Sequence, residues 1–313
     1  MQKFGFVFPG QGSQKLGMLR ELAARSPVIE STFTEASDAV ELDLWEICQQ
    51  DNNNNLDQTH ITQPVLLTAS VAIWRLWSEL STLRPSILAG HSLGEYSALV
   101  CAGVIDFRDA VNIVHHRGHF MQSAVPAGEG KMAAIVGLEN FQIDEICGLA
   151  EEGEGVVSAA NINSPDQTVI AGKAAAVDKA IELCREAGAK RALPLNVSVP
   201  SHCALMLPAA EKLEEELAEV QVNAPNIAVV QNVNAEIGED PAEIKKNLVK
   251  QLHSPVRWLD CVQLIHKTGV NKVVECGPGK VLSGLIRRIE SEIQCFSSDG
   301  SATLDSAIAE MSG

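Results

Sequence analysis

The chain has 313 residues, 46% of them hydrophobic and 20% charged, with a formal net charge of −16. That composition fills one large core, or a core with a smaller satellite, and a globally acidic protein excludes nucleic acid and an anionic membrane as partners. Eight cysteines spread from Cys48 to Cys295 show neither a CxxC pair nor a Cys/His metal spacing, which argues against a disulfide framework and leaves no metal expected.

In chain order, the first predicted element is a strand at 4–8, FGFVF. This apolar run is too short for a signal peptide and no other window approaches a membrane span, so a cytoplasmic location is expected. The segment PGQGSQ at 9–14 follows. It is no GxGxxG fingerprint, because Lys15 stands where the last glycine is required, and GSQKLGM lacks the GK pair of a phosphate-binding loop. Two readings remain: an ordinary glycine-rich turn, or a loop that brings the Gln11 N–H close to a ligand. The polar run DNNNNLDQ at 51–58 reads as a solvated surface loop.

A strand at 86–90, SILAG, leads into GHSLGE at 90–95 and a helical stretch, EYSALVCAG. A GxSxG pattern between strand and helix is a nucleophile elbow: Gly90 and Gly94 carry no side chains, so the chain can turn sharply and expose Ser92. The competing reading is a serine N-cap with glycines for close packing. Glu95 suits both as a first-turn carboxylate. In the elbow reading, the Leu93 N–H sits at the positive end of a helix, where it would stabilise an oxyanion.

From Asp106, an N-cap candidate, a helix is predicted through FRDAVNIVHHRGHFMQSA, with Ala110, Ile113, Val114 and Met121 as its apolar stripe. Arg117 falls inside that stripe. A guanidinium facing the interior is costly unless paired, so it needs either a protein carboxylate or a ligand anion held bidentately. His115, His116 and His119 lie on more polar faces of the helix and read as surface residues.

Residues 130–196 run strand, helix, strand, strand, helix, strand, the βαββαβ order of a ferredoxin-like unit. The α/β alternation resumes with strands at 228–233 and 272–276. The expected fold class is therefore α/β: an α/β-hydrolase-like parallel-sheet core built from 1–129 and 197–313, carrying an inserted ferredoxin-like small subdomain at 130–196 across a cleft. His202 ends VSVPSH at that junction, where Pro200 fixes the backbone. It is a candidate base for Ser92, in competition with an ordinary loop histidine. The insertion takes up most of the interval from which a hydrolase would supply its acid, so a standard triad is not expected.

Taken in order along nearly the whole chain, PGQGSQ, TQP at 62–64, GHSLGEYSAL, HHRGHFMQ, GKMAA, NINSPDQTVIAG, VPSHCALM, NVNA and ECGPGKVLSGL resemble the malonyl-CoA:acyl carrier protein transacylase family of type II fatty acid synthesis. The resemblance implies ping-pong transfer of malonyl from malonyl-CoA to the phosphopantetheine thiol of acyl carrier protein. It implies Ser92 as nucleophile, His202 as base, the backbone amides of Gln11 and Leu93 as oxyanion hole, and Arg117 as clamp for the malonyl carboxylate. It further implies a backbone carbonyl at Gln251, in VKQLHSPVRW, as the group that orients His202, and places Gln63, Met121, Asn161 and Asn163 near the acyl pocket. The VPSH motif is similar to that of malonyl-specific members. No cofactor is expected, coenzyme A thioester being a substrate, and the chain is expected to act as a monomer. A serine thioesterase and an acyltransferase of different acyl-CoA preference are the alternatives. A carrier protein that is acidic like this chain requires a basic patch at the cleft mouth, for which Lys190, Arg191, Lys280, Arg287 and Arg288 are candidates.

Overall fold

The computed structural model describes residues 3–197 and 199–313. Its strands are β1 (Gly5–Phe8), β2 (Ile87–Gly90), β3 (Gly130–Val136), β4 (Val157–Ser164), β5 (Gln167–Lys173), β6 (Arg191–Pro194), β7 (Ala228–Val230), β8 (Ile237–Gly238), β9 (Lys272–Glu275) and β10 (Gln294–Ser297). They form one sheet of six, ordered β10-β9-β1-β2-β7-β8, and one of four, ordered β4-β5-β3-β6.

Every residue of β1 (GFVF) and β2 (ILAG) is buried. Helices cover both faces of a parallel sheet, which is why these strands read as unbroken apolar runs. The two pair in parallel with Phe8 opposite Gly90, so their carboxyl ends lie side by side. The PGQG loop and the GHSLG turn thus leave the sheet at the same edge, the position where open α/β sheets form their crevice.

Three details differ from the sequence pattern. The large sheet is not wholly parallel, because the two-residue β8 runs antiparallel to β7. Strand β7 stops at Val230 rather than at 233, since Gln231 and Asn232 turn into a buried polar network described below. Strand β10, QCFS, has no fully buried residue and so carries no apolar signature.

The helix Phe107–Ala124 begins as expected, with Asp106 Oδ1 accepting the Arg108 N–H at 2.9 Å. It crosses the long buried helix Thr59–Leu80 at Gly118, where a Cβ would come within 2.4 Å of His60 Cα. Glycine inside a helix costs about 1 kcal/mol relative to alanine; here it permits the close approach that seats the next residue back, Arg117, against the long helix.

In the small sheet all neighbouring strands are antiparallel, and the order matches the ferredoxin-like arrangement. The helices Asn140–Glu151 and Ala174–Glu186 cover one face through Ile135, Ile143, Val177 and Ile181. The opposite face, with Met132, Val169 and Ala171, packs on Cys203 of the large sheet's side. Backbone bonds from Ile162 N–H to Val256 O and from Val256 N–H to Ala160 O, both 2.9 Å, tie β4 down. No helix of the described residues is long and apolar enough to cross a membrane.

Candidate active site

The two glycines around Ser92 are dictated by space. A Cβ on Gly90 would lie 1.9 Å from the Gly94 carbonyl, and one on Gly94 would lie 2.0 Å from the Phe8 oxygen. Ser92 itself sits at φ 52°, ψ −109°, a conformation an L-residue adopts only under constraint. Asn232 supplies that constraint from the end of β7: its Oδ1 accepts the Ser92 N–H at 2.7 Å and its Nδ2 donates to Gly90 O at 2.7 Å.

Ser92 Oγ lies 2.8 Å from His202 Nε2, and His202 Nδ1 lies 2.7 Å from the Gln251 carbonyl. A carbonyl only accepts, so Nδ1 carries the proton and Nε2 is left to receive the one on Ser92. The His202 N–H donates to Leu252 O at 2.9 Å. Both carbonyls belong to the last turn of the helix Pro241–His253, where carbonyls lack intrahelical donors and carry the negative end of the helix dipole. A helix terminus therefore stands where a triad would have a carboxylate. Burial, and then the nearby Arg117 charge, lower the His202 pKa to about 3, so the ring is neutral through the range where an ordinary imidazole protonates.

Arg117 is 1% exposed. Its Nη1 donates to Gln63 Oε1 at 2.7 Å, and its Nη2 donates to Gln251 Oε1 at 3.0 Å and to Ser92 Oγ at 3.3 Å. Its Nε has no hydrogen-bond partner among the described residues, and no carboxylate stands within ion-pair distance. The nearest acid in the network is Glu95, reached through the Gln251 amide, whose Nε2 donates to Glu95 Oε2 at 2.7 Å. Burial raises the Glu95 pKa to about 7, opposed by hydrogen bonds from Gln251, Asn232 and Gln231 and by the Arg117 charge. Glu95 is thus no solvent-facing first-turn carboxylate: it is 1% exposed and braces the turn from beneath.

These groups open on a cavity of about 140 Å³, the share of liquid occupied by about four or five waters, lined by Gln11, Ser92, Leu93, Arg117, Met121 and Asn161 among others. The N–H groups of Gln11 and Leu93 have no acceptor among the described residues. The Gln11 loop is held against the serine turn because Gly10 leaves room for it: a Cβ there would lie 2.5 Å from His91 O.

Of the four residues expected near an acyl pocket, Met121 and Asn161 line the cavity, whereas Gln63 and Asn163 stand behind it. Gln63 carries Arg117 and donates to Met121 Sδ at 3.5 Å; Asn163 Oδ1 accepts from His91 Nε2 at 2.8 Å. His91 and Asn232 are structural contributors that motif reading passes over. His91 is visible within GHSLG only as the residue next to the serine, and Asn232 only as the first letter of NVNA.

The family description "acyl transferase domain" matches residues 5–301, which defines the chain as an acyl transferase by class. A malonyl CoA-acyl carrier protein transacylase of Haemophilus influenzae is 56% identical over 95% of both chains, and one of Bacillus subtilis is 43% identical over 98% of this chain and 97% of its own. Among solved structures, an acyl carrier protein S-malonyltransferase of Vibrio cholerae superposes with a TM-score of 0.95 at 55% identity, covering 97% of this chain and 99% of that one. A malonyl-transacylase solved in complex with a type II PKS acyl-carrier protein superposes with a TM-score of 0.97 at 51% identity, covering 99% and 100%. The chain belongs to the malonyl CoA-acyl carrier protein transacylase family.

Proposed function

We propose that this protein moves the malonyl group from malonyl-CoA to the phosphopantetheine thiol of an acyl carrier protein through a malonyl ester on Ser92. The observation that carries the reading is a fully buried guanidinium, Arg117, with no carboxylate in ion-pair contact among the described residues, 3.3 Å from the hydroxyl in the same small cavity. A buried charge left without a counter-ion is expensive, and the carboxylate of a malonyl group supplies one.

Ser92 gives its proton to neutral His202 Nε2 and attacks the thioester carbonyl. The tetrahedral oxyanion accepts hydrogen bonds from the unengaged N–H groups of Leu93 and Gln11. Collapse breaks the C–S bond, and His202 returns the proton to the departing coenzyme A sulfur. In the second half the carrier thiol gives its proton to His202, attacks the ester, and releases Ser92, which recovers the proton. A helix-end carbonyl behind His202 fixes its tautomer but favours imidazolium less than a full carboxylate does, which suits exchange between two thioesters of similar energy. The guanidinium of Arg117, whose Nη2 already reaches the Ser92 hydroxyl, supplies the charge-assisted donors that take the malonyl carboxylate.

Of the five cations considered for carrier docking, Lys190, Arg191 and Arg288 line one groove, and Leu195 borders both that groove and the reactive cavity. Arg287 faces a separate depression and Lys280 neither. The three gathered cations give an acidic partner a local attraction despite the chain's −16 charge.

The test is to follow malonyl transfer to holo carrier protein beside release of free malonate. Transfer is expected to dominate. Malonate release that matches turnover with the carrier present would assign a thioesterase.

A further inference from the structure

A buried cation and a buried anion stand one amide apart beneath the reactive serine. Arg117, on the helix Phe107–Ala124, and Glu95, on the helix Leu93–Cys101, are each 1% exposed. Gln251 joins them: its Oε1 accepts from Arg117 Nη2 at 3.0 Å, and its Nε2 donates to Glu95 Oε2 at 2.7 Å. The two oxygens of Glu95 are not equivalent. Oε2 also accepts the Asn232 N–H at 3.1 Å, whereas Oε1 receives one long bond, from Gln231 Nε2 at 3.4 Å. A proton on Oε1 therefore leaves both bonds to Oε2 in place.

In the empty site one guanidinium faces one carboxylate. A malonyl carboxylate entering at Arg117 sets two buried anions against that cation, and two carboxylates in one low-dielectric site relieve their repulsion by protonating one of them. The malonyl group draws charge-assisted bonds directly from the guanidinium, while Glu95 meets it only through an amide, so Glu95 is the weaker claimant. Burial already raises the Glu95 carboxyl to about 7. Around it, burial keeps Tyr96 and Cys261 neutral, pushing the phenol to about 12 and the thiol well above its ordinary value. Gln231, Asn232 and Gln251 do not titrate. His202 is the other group whose charge could change, because the Arg117 charge helps to keep it neutral and an anion on Arg117 weakens that influence.

We propose that Glu95 is the remote counter-charge of Arg117 in the empty enzyme, coupled to it through the Gln251 side chain, and that it takes a proton from solvent onto Oε1 when a malonyl carboxylate occupies the guanidinium. The inference rests on the clamp role of Arg117. It makes Glu95 a residue that sets malonyl selectivity with pH without touching the substrate. Below about pH 7 Glu95 is already protonated in the free enzyme, and no uptake accompanies binding. Above that pH a proton must be acquired, so the preference for malonyl-CoA over acetyl-CoA falls, toward a limit of about tenfold per pH unit for one linked proton.

The test uses Ser92→Ala protein, which binds without reacting, titrated calorimetrically with malonyl-CoA and with acetyl-CoA at several pH values in buffers of different ionisation heat. Acetyl-CoA carries the same phosphates and cancels their protonation. Malonyl-CoA is expected to take up more protons than acetyl-CoA above pH 7, and its binding preference to decline there. Adding Glu95→Gln, which mimics the protonated acid, is expected to abolish the excess uptake and hold the preference at its low-pH value. Adding His202→Ala is expected to leave the excess uptake intact. Should the Glu95→Gln protein not fold, the infrared difference spectrum of the Ser92→Ala protein, with malonyl-CoA minus with acetyl-CoA, must show a new protonated-carboxyl band. Equal proton uptake for the two thioesters, excess uptake that survives Glu95→Gln, its loss in His202→Ala, or absence of the band overturns the proposal while leaving the clamp in place. No preference for malonyl-CoA at any pH overturns the clamp itself, and this inference with it.

Discussion

Ser92→Ala is expected to lower malonyl transfer by about 10⁴-fold or more, while the protein folds and still binds malonyl-CoA. The substitution removes one oxygen that touches His202 Nε2 and Arg117. The turn survives it, because Asn232 grips the backbone N–H at position 92 rather than the side chain. His202 remains aligned by Gln251 O and Leu252 O, and Arg117 remains seated on Gln63 and Gln251. Steady-state transfer and equilibrium binding of malonyl-CoA, measured on the same preparation, separate the two effects. A variant that keeps a tenth of the wild-type rate would place the nucleophile elsewhere.

Arg117→Ala is expected to lower kcat/KM for malonyl-CoA while leaving acetyl-CoA comparatively untouched, so that the malonyl:acetyl ratio falls by about 10- to 150-fold, the worth of one charge-assisted hydrogen bond of roughly 1.5 to 3 kcal/mol. An acetyl group has no distal carboxylate and draws nothing from the guanidinium. The change also strips donors from Gln63 Oε1 and Gln251 Oε1. Some loss of stability accompanies it, each orphaned buried acceptor costing about 1 to 3 kcal/mol. The selectivity ratio is therefore the proper readout, since a folding defect lowers both substrates equally. A ratio that does not move would make Arg117 a purely structural group.

The parts of the site that were legible in the sequence are those fixed by local chemistry. Gly90 and Gly94 bracket Ser92 because a Cβ at either would collide with backbone, and that requirement is written in five consecutive residues. Arg117 announced itself by polarity in an apolar stripe, and the βαββαβ order by alternating periodicities. What the sequence hid is long-range. The Gln251 amide reaches the Ser92 carbonyl across 159 positions, and Asn232 reaches the Ser92 N–H across 140. No periodicity records such contacts, since an isolated Asn or Gln in a helix end or turn looks the same whether it meets water or a buried carboxylate. Resemblance supplied the role of the Gln251 carbonyl, but not the bridging by its side chain between Arg117 and Glu95. Strands β8 and β10 were missed for the opposite reason: they are short edge strands with little to bury.

The most direct measurement is peptide mapping by mass spectrometry after mixing the protein with malonyl-CoA in the absence of carrier protein. One malonyl ester is expected, on the peptide containing GHSLGE at Ser92, and holo carrier protein is expected to discharge it. Malonyl found on another residue, or turnover with no protein-bound malonyl at all, would contradict a serine ester as the intermediate.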